Sequence, residues 1–446
     1  MGRWCVVAAL IAVLAAASAA DAQVVPPVAA PVAPPWNAQQ LFEPSPLPDL
    51  TSPDQRPPIA PEDSPVTERA QPGYEPIGVR AGSWMISPSI TTGTLYDSNV
   101  FSTATGAQAD LAAMIQPTLR AHTLWERNGL DLQLSSQSYF YLNHPGLNQT
   151  DVGVRGTGWI DVRHDAQILT SFQAQHLHEG VGTLSSPTGA VAPTPYDLFS
   201  TDVTYRQQFN RLTASVGTRV DSYSYGTTQA QNGSLIDQGN RDGQIYKLHG
   251  RVDYTLSPKL DLFTSAEANH RELRGTPENP LDSSGYRLLS GADIELTHLI
   301  TGELAAGYAS QRFADETVGT IAGPTYRALL KWSPTRLLDV HFKAERVVTE
   351  SADTTSTGVR ADGIELGADY ELRRNVIVSL TGAYELEKFF AQVRTDRVTS
   401  EGARLKYLLS QYGYMSFEYR FIQRDSDIPT NSFDKHQVMF NVTSQF

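Results

Sequence analysis

Few sequence features restrict a fold as strongly as an alternation of period two repeated in strand after strand. Leu130, Leu132 and Leu134 oppose Asp131, Gln133 and Ser135. Leu338, Val340, Phe342 and Ala344 oppose Asp339, His341, Lys343 and Glu345. Ile364, Leu366, Ala368 and Tyr370 oppose Glu365, Gly367, Asp369 and Glu371. Successive side chains of a strand point to opposite faces, so each stretch is a strand with one apolar and one wet face. A soluble sandwich alternates too, but it rarely sustains the pattern over so many long strands. The final stretch, residues 435–446, sets Val438, Phe440, Val442 and Phe446 against Gln437, Asn441, Thr443 and Gln445, with Met439 as the exception. A last strand of this kind needs a partner on both sides, which a closed barrel in a bilayer supplies.

The connections between strands test that idea. Short ones fall near residues 126–128, 163–166, 209–211, 257–259, 297–300, 333–336, 373–375 and 410–412. Longer ones, rich in Gly, Pro, Ser, Thr, Asn and Asp, fall near 97–110, 143–149, 179–195, 226–241, 275–283, 314–323, 350–357, 390–397 and 425–434. Strict alternation of the two kinds predicts an all-β, transmembrane, antiparallel up-and-down barrel of about eighteen strands, with sixteen as the nearest alternative. An even number puts both ends on the short-turn side, which is periplasmic in outer-membrane barrels. Eleven residues at about 3.3 Å each, tilted by about 40°, cover roughly 28 Å, enough for an apolar band of roughly 25 Å. Val378, between Val376 and Leu380, is expected to face lipid, and aromatics such as Trp125, Tyr139, Trp159, Tyr223, Tyr225, Trp332, Phe389 and Tyr412 to form interface girdles. Pro88 and Pro117 interrupt the first two strands, where a bulge is expected.

Residues 1–22 read as a cleaved secretory signal: Arg3, an apolar run too short to span comfortably, then small residues, with cleavage after Ala19 or Ala22. Cys5 is the one cysteine of the chain, so no disulfide framework or thiolate chemistry is available after cleavage. Residues 23–80 are dense in proline and are expected to form a disordered, solvated periplasmic arm, either a spacer or a contact for another envelope component. Residues 81–446 form the barrel. The net charge of −13 argues against a nucleic-acid partner, because phosphate binding wants a basic surface.

A barrel of about eighteen strands is too wide for side chains to fill, so the wet face should line an aqueous lumen. The inward candidates are Arg120, Arg155, Arg206, Arg219, Arg251, Asp253, Asp293, Glu295, Arg327, Lys331, Asp339, Lys343, Glu345, Glu365, Asp369, Arg404, Lys406, Glu418 and Arg420. Both signs are present in quantity, as pairs that stiffen a wet wall or as a selectivity device. His176 and His178 share a face near an outer loop, but a metal site needs a third ligand that the sequence does not identify. Asp97, Asn99 and Asp110 could hold calcium through oxygen or serve as turn formers. No G-x-S-x-G, P-loop or H-E-x-x-H stretch occurs, and the reading carries no cofactor, metal or catalytic residue.

The stretch Leu95-Tyr96-Asp97-Ser98-Asn99-Val100-Phe101, closing a first strand after a proline-rich arm, resembles the start of the β-barrel porin type 2 family of bacterial outer-membrane proteins. The resemblance covers roughly residues 81–446. It implies an outer-membrane location and a porin-like or export-related role. The terminal Phe446 resembles the signal by which the outer-membrane assembly machinery recognises its clients. Outer-membrane lipids are the other expected partner. Three functions stay in competition: a channel for passive diffusion or export of hydrophilic solutes, a plugged barrel that binds an envelope partner, and an outer-membrane enzyme, which would need an outward-facing Ser and His at hydrogen-bonding distance.

Overall fold

Each short connection leaves almost no chain between two strands, which forces the strands to pair with each other. The computed structural model describes residues 65–446 apart from 68, 70, 184–185, 188, 276–279, 298, 351–357 and 391–393. The expected signal and the arm up to residue 64 lie outside the described residues. Among these, eighteen long strands form the wall: β1 (Trp84–Asp97), β2 (Asp110–Thr123), β3 (Gly129–Tyr141), β4 (Gln149–Arg163), β5 (Ala166–Glu179), β6 (Thr194–Phe209), β7 (Leu212–Tyr225), β8 (Gly243–Ser257), β9 (Leu260–Leu273), β10 (Ser283–Thr297), β11 (Ile300–Phe313), β12 (Thr320–Thr335), β13 (Leu338–Glu350), β14 (Gly358–Arg373), β15 (Val376–Phe390), β16 (Arg394–Ser410), β17 (Gly413–Ser426) and β18 (Phe433–Gln445). Each is antiparallel to the next. β1 also pairs with β18, from Ser89↔Gln445 to Asp97↔Gln437, which closes the ring. All eight short and nine long connections fall where the sequence puts them, the short ones on the side of both barrel ends.

Local chemistry explains the turns. In the β6–β7 turn Asn210 takes a φ of 54°, a left-handed conformation that asparagine tolerates. The expected bulge at the two prolines is absent. β1 and β2 keep one register from Trp84↔Thr123 to Asp97↔Asp110, straight through Pro88 and Pro117. On its other side β2 goes from Ile115↔Ser138 to Thr118↔Ser135 without a shift. A missing N–H removes one donor but need not insert a residue, so proline here only interrupts the ladder. Pro88 lies just outside the β1–β18 ladder, where its carbonyl accepts the Phe446 N–H at 3.0 Å. Register shifts occur instead beside the short turns, for example between Asp161 and Arg163 and between Glu371 and Arg373.

The outer end of the seam is fastened by the Tyr-Asp-x-Asn-Val-Phe stretch. Asp97 Oδ1 accepts the Asn99 N–H at 2.9 Å, an Asx turn, and Asp97 Oδ2 accepts the Gln437 amide of β18 at 2.7 Å. Asn99 Nδ2 donates to the carbonyls of Thr103 and Asp434. Lys435 Nζ lies 3.5 Å from Asp97. The turn-forming role thus accounts for these side chains.

The distribution of apolar surface is inverted relative to a water-soluble protein. Ile364, Leu366 and Tyr370 are 49%, 56% and 42% exposed, while Glu365 between them is 8% exposed. Exposed apolar residues recur on most wall strands, and apolar packing on the inner face gathers in small clusters such as Leu95, Ala112, Met114, Tyr139 and Met439. The aromatic girdle expectation needs correction. Trp125, Trp332 and Tyr412 are exposed, but Tyr139 and Phe389 are buried, and Tyr223 and Tyr225 pack with buried Leu177, Tyr196 and Leu198. Trp159 lies flat over Gly129, where a Cβ would come within 2.0 Å of the indole. These rings share parity with the polar face, so their place near strand ends says nothing about the side they take.

Val378 pairs with Tyr370 and Leu405, both exposed, and so shares the lipid face. It stands close to the short turn after β14, near an interface, where a charge costs only about 0–1 kcal/mol. Leu380, one step farther in and 54% exposed, is the better probe. Leu380→Arg should cost about 2–4 kcal/mol in reversible unfolding from lipid vesicles. A change below about 0.5 kcal/mol would reverse the face assignment.

Candidate functional site

The inner wall is the candidate site, and it is built by the parity of each strand. Because strands pair in register, inward residues of neighbouring strands form rows: Asp253 beside Phe263, Asp293 beside Glu303, Lys343 beside Glu365, Arg404 beside Glu418. Each of the nineteen lumen candidates lies on the parity opposite its strand's outward apolar row, although β12 also sets Leu329, 39% exposed, on the same parity as Arg327 and Lys331.

The densest cluster surrounds Arg251 on β8, whose side chain is fully covered. Its Nε donates to Asp253 at 2.7 Å and its Nη1 to Glu303 at 2.7 Å, and it forms an ion pair with Asp293. The Phe263 ring lies 3.6 Å beneath the guanidinium. Glu303 is shared with Arg327, whose Nε is 2.6 Å away. A planar five-donor fork suits such a role, since it can serve several carboxylates at fixed angles. On β7 and β8, Arg219 and Lys247 flank Asp221 at 2.8 and 3.4 Å. On β13 and β14, Lys343 pairs with Glu345 at 2.6 Å and His341 lies 3.7 Å from Asp369. On β16 and β17, Arg404 Nε is 3.1 Å from Glu418, Arg420 is buried beside it, and Lys406 Nζ stands 4.3 Å over the Tyr414 ring.

The signs are unevenly spread around the ring. Strands β16, β17 and β2 contribute Arg404, Lys406, Arg420 and Arg120 at mid-wall, with Glu418 among them. Strands β8 to β11 contribute Asp253, Asp293, Glu295 and Glu303 around Arg251. In a ring of eighteen, β17 and β8 are nine strands apart and so face each other.

Other polar groups sit at the two mouths. Near the outer rim Glu179 takes both terminal nitrogens of Arg241 at 2.7 Å, and buried Arg394 pairs with Asp396. Ser102 Oγ donates to the Val181 carbonyl, linking the β1–β2 and β5–β6 loops. At the short-turn mouth the chain preceding β1 turns inward. Val66 is fully buried and donates its N–H to Asp339 at 2.6 Å; Gln71 donates to Glu371 at 3.0 Å, and Arg69 lies 3.6 Å from the same carboxylate. The end of the proline-rich arm is therefore not wholly solvated, a contact no local pattern could reveal because its partners lie almost three hundred residues away.

The rejected chemistries can be placed too. His176 pairs with Asp197 and His178 with Asp151, each at 2.8 Å, and no group of three or more metal-ligating side chains occurs among the described residues. Asp110 is engaged by Asn143 and His144. One Ser–His pair does meet the distance expected of an enzyme: His270 Nδ1 is 2.7 Å from Ser284 Oγ, with Glu272 at 3.2 Å from Nε2. The histidine and glutamate side chains are 54% and 60% exposed, so the carboxylate is solvated and cannot hold an imidazolium in place as a buried acid does. His270 and Ser284 are direct partners in the β9–β10 ladder, which points to a surface pair on a strand rim.

Arg251→Gln should leave Asp253, Asp293 and Glu303 without their shared cation and cost about 3–5 kcal/mol in unfolding. Arg287→Gln breaks a half-exposed pair with Glu267 and should cost about 1 kcal/mol or less. Equal losses in the two variants would remove the distinction between a packed wall cluster and a solvated pair.

A family model described as Putative beta-barrel porin 2 matches residues 71–446. No curated protein matches. Among solved structures, a mutant ferric enterobactin receptor (PfeA) of Pseudomonas aeruginosa shares 8% identity over 82% of this chain and 81% of that chain, at a TM-score of 0.44. OccAB3 of Acinetobacter baumannii shares 13% over 81% of this chain and 99% of that chain, at 0.42. OpdK of Pseudomonas aeruginosa, solved with vanillate, shares 11% over 81% and 99%, at 0.42.

Proposed function

This chain belongs to the beta-barrel porin 2 family, and from that premise we propose that it forms a water-filled outer-membrane channel for passive diffusion or export of hydrophilic solutes. One observation carries the reading: the charged side chains of a wide barrel are gathered on its inner wall and its apolar side chains on the outside. Eighteen strands about 4.8 Å apart and tilted by about 40° enclose a ring roughly 35 Å across its backbone, which side chains alone do not fill. A solute then meets cations on one side and carboxylates on the other, so size and charge together decide passage.

In this reading residues 1–22 direct export, residues 23–80 form an arm on the periplasmic side, and residues 81–446 form the channel. Outer-membrane lipids cover the apolar face. Phe446, 58% exposed with its ring 6.0 Å from that of Tyr412, is the group an assembly factor would read.

A second reading, an occluded barrel that serves as a binding platform, draws on the inward contacts of Val66, Arg69 and Gln71. Purified protein in a planar bilayer separates the two. Stable single-channel steps are expected from the intact chain, and Arg69→Glu, which sets two carboxylates against each other at Glu371, should enlarge them by weakening the segment in the mouth. Silence of the intact chain at high protein load, with steps appearing only in the variant, would favour the occluded barrel. Silence of both would overturn the channel.

A further inference from the structure

The outward face is almost free of cations. Away from the periplasmic turns, and among the described residues, the wall strands place outward only Arg312, Arg346, Arg360, Lys388 and Arg397, all on β11 to β16 and all toward the outer ends. Three of them are close neighbours. Arg346 of β13 lies across from Asp362 of β14 and forms an ion pair with it. Arg360, two residues along β14 from Asp362, lies directly across from Lys388 of β15. Like charges directly opposite in a sheet repel, and natural strands avoid the arrangement unless something compensates.

Compensation within the chain is incomplete. Among the described side chains, Asp362 is the one carboxylate paired with the group, at 3.5 Å from Arg360 Nε, and that nitrogen is buried without a hydrogen-bond acceptor. Lys388 has no ion-pair partner among the described residues. Arg346 also stacks on the Tyr326 ring, 5.4 Å from its centroid. Its Nη1 is taken up by the Pro324 carbonyl at 3.1 Å.

Height identifies what can lie there. Along the outer face of β14 the row runs Leu372, Tyr370, Ala368, Leu366, Ile364, Asp362, Arg360. From Tyr370 to Asp362 is eight residues, or roughly 20 Å of height at a tilt of about 40°, so Arg360 and Lys388 stand just beyond a roughly 25 Å apolar band. Tyr326, next to the Arg327↔Glu345 pair and so beside Arg346, lies just below that level, as interface aromatics do. The cations therefore face outward at the height of the outer-leaflet headgroups.

We propose that Arg346, Arg360 and Lys388 form a site for the phosphate of a phosphorylated glycolipid in the outer leaflet, with Asp362 holding the two guanidinium groups in position. A phosphate between Arg360 and Lys388 would accept from both and relieve their repulsion, using the fork geometry of arginine and the point charge of lysine. The acyl chains would lie against Ile364, Leu366 and Leu380, which continue the same face downward.

The test is native mass spectrometry of the full-length protein in detergent, titrated with a bisphosphorylated diglucosamine lipid and, in parallel, with the same lipid after dephosphorylation. The Arg360→Gln/Lys388→Gln double variant is titrated beside it, with heat-dependent migration in detergent gels as proof that both proteins are closed barrels. The intact protein should retain the phosphorylated lipid, and the double variant should bind it about thirtyfold more weakly, the factor expected for two surface cations at about 1 kcal/mol each. Neither protein should retain the dephosphorylated lipid well. Equal retention of both lipids by the intact protein, or undiminished retention by the variant, would overturn the proposal. So would competition by inorganic phosphate at concentrations similar to the lipid, since that describes an anion site indifferent to lipid.

Discussion

A chain segment in hydrocarbon has no water to satisfy its N–H and C=O groups, and each group left alone costs several kcal/mol. The molecule answers this with ring closure. β1 and β18, the first and last wall strands, meet over nine residue pairs, and no wall strand is left with a free edge. Sequence distance does not protect this seam, because its two halves are more than three hundred residues apart. The Asp97 and Asn99 side chains fasten it at one end, and the Phe446 N–H, bonded to Pro88, fastens it at the other. A motif that looks like loop decoration in the sequence thus works as a clasp.

Closure at eighteen strands dictates the side chains. Side chains fill the interior of a small barrel but not a ring of eighteen strands, and here charged groups stand along the inner wall. Their cost is lowered by pairing: Arg251 and Arg327 share Glu303, and Arg219 and Lys247 share Asp221. Carboxylates cluster where one arginine can serve several. Across the lumen, Arg404, Lys406 and Arg420 gather with fewer acids. The wall is therefore a stable structure and an uneven field at once, and the same residues carry both properties.

Much of this was legible because the relevant information is local. Period two assigns the face of Glu365 or Leu366, and turn residues such as Ser257-Pro258-Lys259 mark where strands reverse. What stayed hidden depends on long-range register. That Arg251 meets Asp293 and Glu303, from strands β10 and β11, cannot be read from β8 alone. Aromatics misled for the opposite reason: Trp159, Tyr223 and Phe389 stand near strand ends, but parity, not position along the strand, decides that they point inward. No bulge forms at Pro88 and Pro117, because the loss of a donor interrupts the ladder without inserting a residue. Arg360 and Lys388 were visible as charges, yet only pairing sets them opposite each other on the lipid side.

The central claim is the inverted barrel, with a wet inside and an apolar outside. Substituted-cysteine labelling tests it directly, because the chain's single cysteine is Cys5, within the expected signal. Single cysteines would be placed along β14 at Gly363, Ile364, Glu365 and Leu366, and the protein in lipid vesicles exposed to a membrane-impermeant, water-soluble maleimide; a side chain at position 363 meets no neighbour. Labelling at positions 363 and 365, with 364 and 366 silent, is the result this account predicts. Uniform labelling at all four positions, or the opposite alternation, would contradict it.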